Sequence, residues 1–491
     1  MPSISTTIGR GSSTSPEQQR LMGAGTVVAI GLITELGAQF ARTALLARWL
    51  GAAEFGIVVS ISTLAALVEM LSFIGVDRYL VYSTDGGSRQ ALGVAHALGL
   101  LRGVVSAAIV VVLAWPTAAA MDENAYIWSF VVIALGPLLR GASHLGVVQV
   151  QRSGRFWPAA ASNTGGAIMG LLAAAVAAVV VPDYRAILWG LSAQAAGSLL
   201  LSHLFAGGVP FAICFDRVRF REALRFGLPL LVNGFALAAA YQLDRMVVGA
   251  WLGVSALGIY GLSITLLFQP VALLSRLATA ILQPPMSAAW HTDRSGAFSS
   301  WIRQLARYSA VFGGAGAVVT ACLGAPMLRF VFGASFSTSD VFFVLMAGAV
   351  LARLQRYALN LVGLAMGRTS DMMISNIGGA IALPVMIGSF YISHNLISAA
   401  FGTLLGELLA IAIIEVKLSW RCGSASQAMR QGLAMATILP LTLGTWILVS
   451  DPPLWIRVAV ATIALLAPAS MLMTGRVSWR SVLLRFRRRA V

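Results

Sequence analysis

Charged residues are scarce in this chain. Only 11% of its 491 residues are Asp, Glu, Lys or Arg, whereas a soluble domain carries about 25%. The mean hydropathy is +0.83, and apolar runs of at least 18 residues recur along the whole sequence. Each run is long enough to cross a hydrocarbon core of about 30 Å as a helix. The composition therefore excludes an ordinary soluble protein.

The apolar runs predict fourteen transmembrane helices in an all-α polytopic membrane protein. They lie at roughly 22–47, 55–77, 91–115, 126–150, 156–181, 184–206, 226–251, 256–283, 305–332, 341–366, 371–392, 396–418, 428–449 and 453–474.

Cysteine, long loops and catalytic motifs are also lacking. The three cysteines (Cys214, Cys322 and Cys422) are scattered and indicate neither a disulfide framework nor a metal site. The five histidines show no metal-ligand spacing. No predicted loop is longer than about 22 residues, too short for a folded domain outside the membrane. Because no nucleotide-binding, metalloprotease or nucleophile motif is present, the sequence predicts no enzyme and no cofactor.

Acidic residues are too few to balance the basic ones, so the net charge is +16. Of the 34 Lys and Arg residues, 23 lie on the side of the predicted topology that bears both termini, and four lie on the other. This asymmetry predicts that both termini are cytoplasmic. Nucleic-acid binding is not expected, because no basic and aromatic domain exists outside the membrane.

A sequence repeat predicts a duplicated bundle. Residues 49–64 (WLGAAEFGIVVSISTL) and 251–266 (WLGVSALGIYGLSITL) match at seven of sixteen positions. We expect two six-helix lobes related by a pseudo-two-fold axis along the membrane normal, followed by two C-terminal helices. The predicted units are an N-terminal tail (1–21), an N-lobe (22–206), an inter-lobe linker (207–225), a C-lobe (226–418), two helices (428–474) and a basic tail (475–491).

Seven arginines fall inside predicted spans, where each costs about 2.5–3.5 kcal/mol unless solvated or paired. They are Arg42, Arg102, Arg140, Arg245, Arg276, Arg353 and Arg356. The acidic side chains at similar depth are Glu35, Glu69, Asp244 and Glu407. The excess of positive charge indicates a water-filled cavity that receives an anion.

Helical spacing predicts which of these side chains share a face. Glu35, Gln39 and Arg42 follow i, i+4 and i+7 on the first helix, and Arg353 and Arg356 are three residues apart on the tenth. Two alternatives stay open for other arginines. Arg140 is also explained by a structural ion pair with Glu69 or Glu407, and Arg245 by snorkelling toward the outer surface.

Two stretches carry a family resemblance. Residues 244–249 (DRMVVG), with Leu252-Gly253 and 256–260 (ALGIY), and the first-lobe copy 45–51 (LLARWLG) with 54–56 (EFG) resemble bacterial polysaccharide flippases. These belong to the multidrug/oligosaccharidyl-lipid/polysaccharide exporter superfamily. The resemblance covers essentially the whole chain.

The resemblance implies a bacterial inner-membrane protein whose cargo is an undecaprenyl-diphosphate-linked oligosaccharide, moved from the cytoplasmic to the periplasmic leaflet. It also implies that arginines on the first and eighth helices, in this sequence Arg42 and Arg276, bind the diphosphate. Partners in polysaccharide polymerisation and export follow from the same resemblance.

The predicted site has two parts. The arginines expected to line the cavity for the diphosphate are Arg42, Arg276, Arg140, Arg353, Arg356 and Arg102. The polar residues expected to line it or to couple transport to a proton or sodium gradient are Glu35, Gln39, Glu69, Asp244 and Glu407. No metal ligand and no catalytic residue is predicted. Rocking of the two lobes about this site would give alternating access.

Two other functions are compatible with the sequence. A multidrug exporter of the same superfamily is expected to place acidic residues, rather than an arginine excess, against cationic drugs. A non-transporting scaffold of an export complex is expected to tolerate replacement of the cavity arginines.

Overall fold

The computed structural model describes residues 16–122, 126–292, 296–422 and 424–473. Within these ranges the chain forms α-helices joined by short turns and contains no strand, which confirms the predicted all-α class. The first fifteen residues of the predicted N-terminal tail and the predicted basic tail (475–491) lie outside the described residues.

The helices are numbered in chain order, and one 3₁₀ turn (Val150–Ser153) follows α6. Their bounds are α1 Pro16–Leu71, α2 Val76–Tyr82, α3 Arg89–Ala120, α4 Ile127–Val132, α5 Leu135–Gly141, α6 Gly146–Gln149, α7 Trp157–Val180, α8 Arg185–Leu204, α9 Arg217–Tyr241, α10 Leu243–Thr292, α11 Ala297–Phe332, α12 Asp340–Ala365, α13 Thr369–Ala380, α14 Ala382–Ser393, α15 Leu396–Cys422, α16 Ser424–Ser450 and α17 Leu454–Met473.

Two of these helices are kinked at the glycine of the repeated Trp-Leu-Gly sequence. Gly51 in α1 has φ 73° and ψ −178°, and Gly253 in α10 has φ 79° and ψ 170°. A side chain is strained at such angles, so both copies need glycine there. We call the parts of α1 before and after Gly51 α1N and α1C, and the parts of α10 before and after Gly253 α10N and α10C.

The described residues contain nine helical stretches long and apolar enough to cross a membrane, or ten if one bent pair counts as a span. Two of the nine are 58 and 75 residues long and include the bends just described. A polytopic membrane protein is therefore confirmed, and the count of fourteen spans stays a prediction.

The predicted fourth helix, 126–150, is wrong as one continuous helix. Its two parts, Ile127–Gly141 and Gly146–Ser153, meet at 51°. His144 lies at the break. Its backbone N–H donates to Ser202 Oγ at 2.8 Å, and its ring Nδ1 accepts from the N–H of Gly146 at 3.0 Å. These bonds replace helical backbone bonds and stabilise the break.

Glycines bring helices close together within the N-lobe. A Cβ on Gly103 of α3 would lie 2.8 Å from the carbonyl oxygen of Pro137, and one on Gly170 of α7 would lie 2.7 Å from that of Gly190. Small residues are needed where membrane helices approach this closely. The C-terminal helices α16 and α17 pack against α11, with Ile447 and Ala461 beside the buried Val318.

The lobes meet through equivalent residues. A Cβ on Gly56 in α1C would overlap the carbonyl oxygen of Val254, and a Cβ on Gly258 in α10C would lie 2.7 Å from the carbonyl oxygen of Ala52. Val254 and Gly258 each lie 202 positions after their counterparts, Ala52 and Gly56. Because the contact is reciprocal, the pseudo-two-fold axis passes through this pair of helices.

We call the end of the bundle near Gly51 the outer end and the end at which α8 finishes the inner end. At the outer end the lobes are in contact away from the axis as well. The Arg48 guanidinium donates to the carbonyl oxygens of Val331, at 2.8 Å, and Phe330. The rings of Phe40 and Phe332 lie 5.9 Å apart between centroids. The outer end is therefore closed.

Candidate substrate site between the lobes

α1N of the N-lobe and α10C of the C-lobe carry polar side chains where they face each other. Gln269 of α10C donates from Nε2 to the carbonyl oxygen of Leu36 in α1N at 3.0 Å. Next to this contact, Gln39 Nε2 donates to Glu35 Oε1 at 3.4 Å, as their i, i+4 spacing predicts. Arg276 lies two turns beyond Gln269 toward the inner end. Its side chain is exposed, and it interacts electrostatically with Glu35.

Arg42 points into the N-lobe rather than toward Arg276. It is 7% exposed. Its Nη1 donates to Gln194 Oε1 at 2.7 Å and lies 3.5 Å from the carbonyl oxygen of Gly190, both on α8, while its Nε has no hydrogen-bond partner. Among the described residues Arg42 has no ion pair, so it is a buried cation held by neutral groups. Gly170 and Gly190 leave room for it, because a side chain on either would meet the arginine.

Arg140 and Arg102 form a second group in the N-lobe. Arg140 makes an ion pair with Glu69 at 3.3 Å, and both side chains are partly exposed. Of the two partners that the sequence left open, the structure brings Glu69 to Arg140. Arg102 interacts electrostatically with the same carboxylate. Arg102 interacts with Asp77 as well, so the two arginines of this group face two carboxylates.

Arg353 and Arg356 form a third group, in the C-lobe. Both bind the buried Glu407, with Arg353 Nη2 at 2.6 Å from Oε1 and Arg356 Nε at 2.9 Å from Oε2. Arg356 also donates to Asn376 Oδ1 at 3.0 Å and to the Tyr241 hydroxyl. The triad carries one net positive charge in a site closed to solvent, where the loss of either type of partner is costly.

Aromatic rings complete the surroundings of the triad. The guanidinium carbon of Arg353 lies 3.6 Å from the ring centroid of Phe268 and 5.0 Å from that of Tyr241. A ring face attracts a cation that is shielded from water. The Phe268 contact connects the triad, on α12 and α15, to α10C.

Asp244 is held by hydroxyl groups close to this triad. It accepts from the Tyr260 hydroxyl at 2.7 Å, and that hydroxyl also lies 2.8 Å from Thr403 Oγ1. A cavity of about 30 Å³ is lined by Asp244, Arg353, Thr403 and Glu407. It has room for one or two water molecules and is too small for a sugar. Arg245 lies half-buried beside it.

The structure therefore divides the predicted site residues into separate groups. Glu35, Gln39 and Arg276 lie at the contact between the lobes. Arg42 lies inside the N-lobe, Arg140, Glu69 and Arg102 form a cluster of their own, and Arg353, Arg356, Glu407 and Asp244 lie inside the C-lobe. Within the described part of the chain, no group of three His, Cys, Asp or Glu residues has the arrangement of a metal site.

Three partners of these groups had weak or no sequence signals. Gln194 is the single amide in an apolar helix, which marks it as polar at membrane depth but does not identify Arg42 as its partner. Tyr241 and Tyr260 are ordinary interface residues by sequence, and only the packing of α9, α10 and α12 brings them to the charged side chains.

Comparison with known proteins identifies the family. Residues 45–340 match the model of the polysaccharide biosynthesis protein family. The chain belongs to this family, and the predicted polysaccharide flippase resemblance is confirmed. No curated protein matches the sequence significantly.

Solved transporters share the fold. The lipid II flippase MurJ in an inward closed conformation is similar with a TM-score of 0.66 and 11% identity, over 93% of this chain and 100% of that one. The eukaryotic MATE transporter AtDTX14 gives 0.58 and 11%, over 85% and 99%. An inward-facing multidrug resistance MATE transporter of the MOP superfamily gives 0.55 and 13%, over 89% and 97%. The chain thus has a flippase and transporter fold.

Proposed function

We propose that this protein moves a polyprenyl-diphosphate-linked oligosaccharide from the cytoplasmic to the periplasmic leaflet of the bacterial inner membrane during polysaccharide biosynthesis. Membership of the polysaccharide biosynthesis family supports the glycan part of this proposal. The likeness of the fold to a lipid II flippase is consistent with a lipid-linked cargo. The excess of Lys and Arg on one side of the predicted topology supports cytoplasmic termini.

The observation that carries the proposal is the exposed guanidinium of Arg276 at the contact between the lobes. Among the described residues, Arg276 has no ion pair within 4 Å, and Glu35 is the acidic group near it. A guanidinium presents a fixed fork of donors that fits phosphate oxygens. With the outer end closed, the cargo is proposed to reach this group from the inner end, where it is made.

Arg42 is proposed as the second diphosphate ligand. Its buried Nε lacks a partner, and its other bonds go to the neutral Gln194 and Gly190. An anion that reaches it would meet no competing carboxylate from the described helices. Arg42 and Arg276 belong to different lobes, so a diphosphate bound by both would favour their approach.

The remaining arginines are proposed to have other roles. Arg353 and Arg356 are neutralised in part by Glu407, and we assign them to holding α12 and α15 together. Arg140 and Arg102, with Glu69 and Asp77, provide hydrogen-bonding groups for the glycan side of the cavity. The cargo's hydroxyl groups need polar partners inside the membrane, because each unpaired one costs several kcal/mol in hydrocarbon.

Transport is proposed to proceed by rocking of the lobes about the Gly56–Gly258 contact. Breaking the Arg48 contacts at the outer end and forming new ones at the inner end would move access from one leaflet to the other. The polyprenyl tail stays in lipid throughout. A proton or sodium gradient is the proposed energy source, with Glu35 and Asp244 as coupling groups, and polymerisation and export proteins are proposed to consume the product.

Flipping of a fluorescent polyprenyl-diphosphate oligosaccharide in proteoliposomes tests this function. We expect Arg276→Gln to reduce the initial rate about tenfold, since a lost charge-assisted hydrogen bond is worth about 1.5–3 kcal/mol, and Arg276→Lys to retain more activity. Arg329→Gln removes an exposed arginine at the outer end and should keep the wild-type rate. Equal rates for Arg276→Gln and Arg329→Gln would refute the assignment.

A multidrug exporter is the second candidate, favoured by the similarity to MATE transporters. It predicts that Glu35→Gln, rather than Arg276→Gln, abolishes transport, and that the transported compound is an organic cation. Efflux of a cationic dye from cells that express each variant separates the two functions. A scaffold would show neither activity in any variant.

A further inference from the structure

The segment that connects the lobes presents apolar side chains to its surroundings. Phe215 is 79% exposed, Val218 is 67% exposed and Ile213 is 51% exposed. They lie next to or within the first turns of α9, before its apolar part begins. These exposures show that the described residues leave the segment uncovered.

Arginines accompany these apolar side chains. Arg217, Arg221 and Arg225 are all exposed, and their i, i+4, i+8 spacing places them along one face of α9. Glu222 is the acidic residue within the same turns, and it faces Tyr79, whose hydroxyl lies 3.5 Å from Oε2. The free face therefore carries a positive charge.

The opposite side of this segment is fixed to the N-lobe. The Cys214 N–H donates to the Gly93 carbonyl at 3.2 Å. Arg219 differs from the three exposed arginines because it is bound, to Asp85 at 3.1 Å and to Asp216 at 2.9 Å. Because these contacts attach the start of α9 to the N-lobe, Arg217, Arg221 and Arg225 all face away from it.

Two histidines strengthen this attachment. His96 accepts at Nε2 from the Leu145 N–H at 3.2 Å, so its Nδ1–H donates to the Ala212 carbonyl, 3.0 Å away. His144 donates from Nε2 to the Val209 carbonyl at 3.0 Å. The linker is thus bonded to the N-lobe immediately before the exposed residues begin.

The position of the arginines relative to the membrane follows from their distance along α9. Leu228 is 60% exposed and Phe235 is 55% exposed, which marks the apolar belt of α9. Arg225 precedes Leu228 by about 4.5 Å of helix rise and Arg221 by about 10 Å. The headgroup layer is about 5–8 Å thick on each side of the hydrocarbon core. These guanidiniums therefore reach phosphate depth at the edge of the membrane.

We propose that residues 213–225 form a binding surface for the anionic phospholipid headgroups of the adjacent leaflet. The guanidiniums of Arg221 and Arg225 bind lipid phosphates, and Arg217, farther from the membrane on the same face, adds to the positive charge that attracts them. The surface is separate from the inter-lobe site and does not depend on the proposed cargo.

Native mass spectrometry of the purified protein, exchanged into mixed phosphatidylglycerol and phosphatidylcholine, tests this surface. The triple variant Arg217→Gln/Arg221→Gln/Arg225→Gln should lose phosphatidylglycerol affinity by about fivefold for each arginine removed. The matched control, Arg155→Gln/Arg303→Gln/Arg307→Gln, removes the same charge from exposed positions elsewhere. It should keep most of the binding.

The Arg→Lys version of the first triple variant should retain binding, because it keeps the charge. That result would exclude unfolding as the cause of the loss. Equal losses in the Arg217/Arg221/Arg225 triple and in its control would overturn the proposal, since they would show attraction by net charge alone.

Discussion

Gly56 and Gly258 hold equivalent positions in the two repeats, and they pack against each other. A Cβ on Gly258 would lie 3.1 Å from the nitrogen and 3.3 Å from the Cα of Gly56. Where two helices cross at equivalent residues they define a pivot, because rocking of the lobes about this crossing changes the contact there least. The repeat therefore locates the axis between the two lobes, close to the outer end.

A methyl group at this pivot should destabilise the protein. Gly56→Ala places its Cβ on the Val254 carbonyl, where backbone must shift, and overpacking of this kind costs about 1–3 kcal/mol. We expect a lower midpoint of thermal unfolding in detergent. Gly37→Ala in α1N is the control, because no atom lies within 4 Å of its Cβ, and it should be neutral or stabilising. Equal midpoints for the two variants would contradict the pivot.

Arg48 should hold the outer end closed. Its guanidinium binds the last carbonyls of α11, where a cation also meets the negative end of the helix dipole. We expect Arg48→Gln to increase the open population about fivefold. Spin labels on Trp49→Cys and Ser337→Cys report this as a longer distance component in pulsed electron resonance.

The control for this measurement is Arg329→Gln, which removes an exposed arginine from the same helix end. Its distance distribution should match that of the wild type. If Arg48→Gln also leaves the distribution unchanged, Arg48 does not stabilise the closed outer end.

Glu407 should contribute more to the free energy of unfolding than an exposed acidic residue does, because it is the counter-charge of two buried guanidiniums. Glu407→Gln leaves Arg353 and Arg356 without a counter-charge, and we expect a loss of about 3–5 kcal/mol in the free energy of unfolding. Glu69→Gln breaks an ion pair that is 46% exposed on the carboxylate side and should cost at most about 1 kcal/mol. Equilibrium unfolding in mixed micelles measures both.

Replacement of the whole triad separates charge from packing. Arg353→Met/Arg356→Met/Glu407→Leu should be close to the wild type in stability, since no charge is left buried. A triple variant as unstable as Glu407→Gln would show that hydrogen bonding to Asn376 and Tyr241, rather than charge balance, stabilises the C-lobe.

Asp216 should make the start of α9 sensitive to acid. Its carboxylate accepts from the N–H groups of Arg219, at 3.3 Å, and Val218, at 2.9 Å, and these bonds, together with the Arg219 guanidinium, lower the pKa of Asp216. A lowered pKa contributes stability above the unfolded value of about 3.9 that is lost as the pH falls through the folded value. The difference in stability between wild type and Asp216→Ala should therefore shrink below about pH 4.

Ser88 is an uncharged N-cap, so the Ser88→Ala variant serves as the comparison. Ser88 Oγ accepts from the N–H of Ala91 at 3.1 Å at the start of α3, and a hydroxyl does not titrate in this range. The effect of Ser88→Ala should be the same at every pH tested, and parallel pH profiles for the two variants would disprove a titration of Asp216.

Much of the fold follows from the sequence because membrane helices obey local rules. Apolar runs predict helices, and the Trp-Leu-Gly repeat predicts the equivalent turns at Gly51 and Gly253. The break at His144 was not predicted. It depends on Ser202, which is 58 residues away, and on the ring Nδ1 of His144, which accepts from the Gly146 N–H. A hydropathy profile shows neither of these hydrogen bonds.

The site residues were harder to assign. Spacing along one helix relates Glu35 to Gln39 but gives no partner on another helix. The pairing of Arg140 with Glu69 was one of two alternatives, and the sharing of Glu407 by two arginines was not foreseen. Whether each arginine is buried, and which group it meets, depends on how neighbouring helices pack. Gly170 and Gly190, for example, leave the space that Arg42 occupies.

The sequence by itself determined that the chain is a duplicated, helical membrane protein with an excess of arginine at membrane depth, because composition and periodicity are local properties. Only the tertiary structure decided which of those arginines are neutralised. Arg353 and Arg356 meet Glu407 across two helices, whereas Arg276 stays exposed beside the lobe contact. The physical reason is that an ion pair depends on distances between helices, and these are set by packing of the whole bundle.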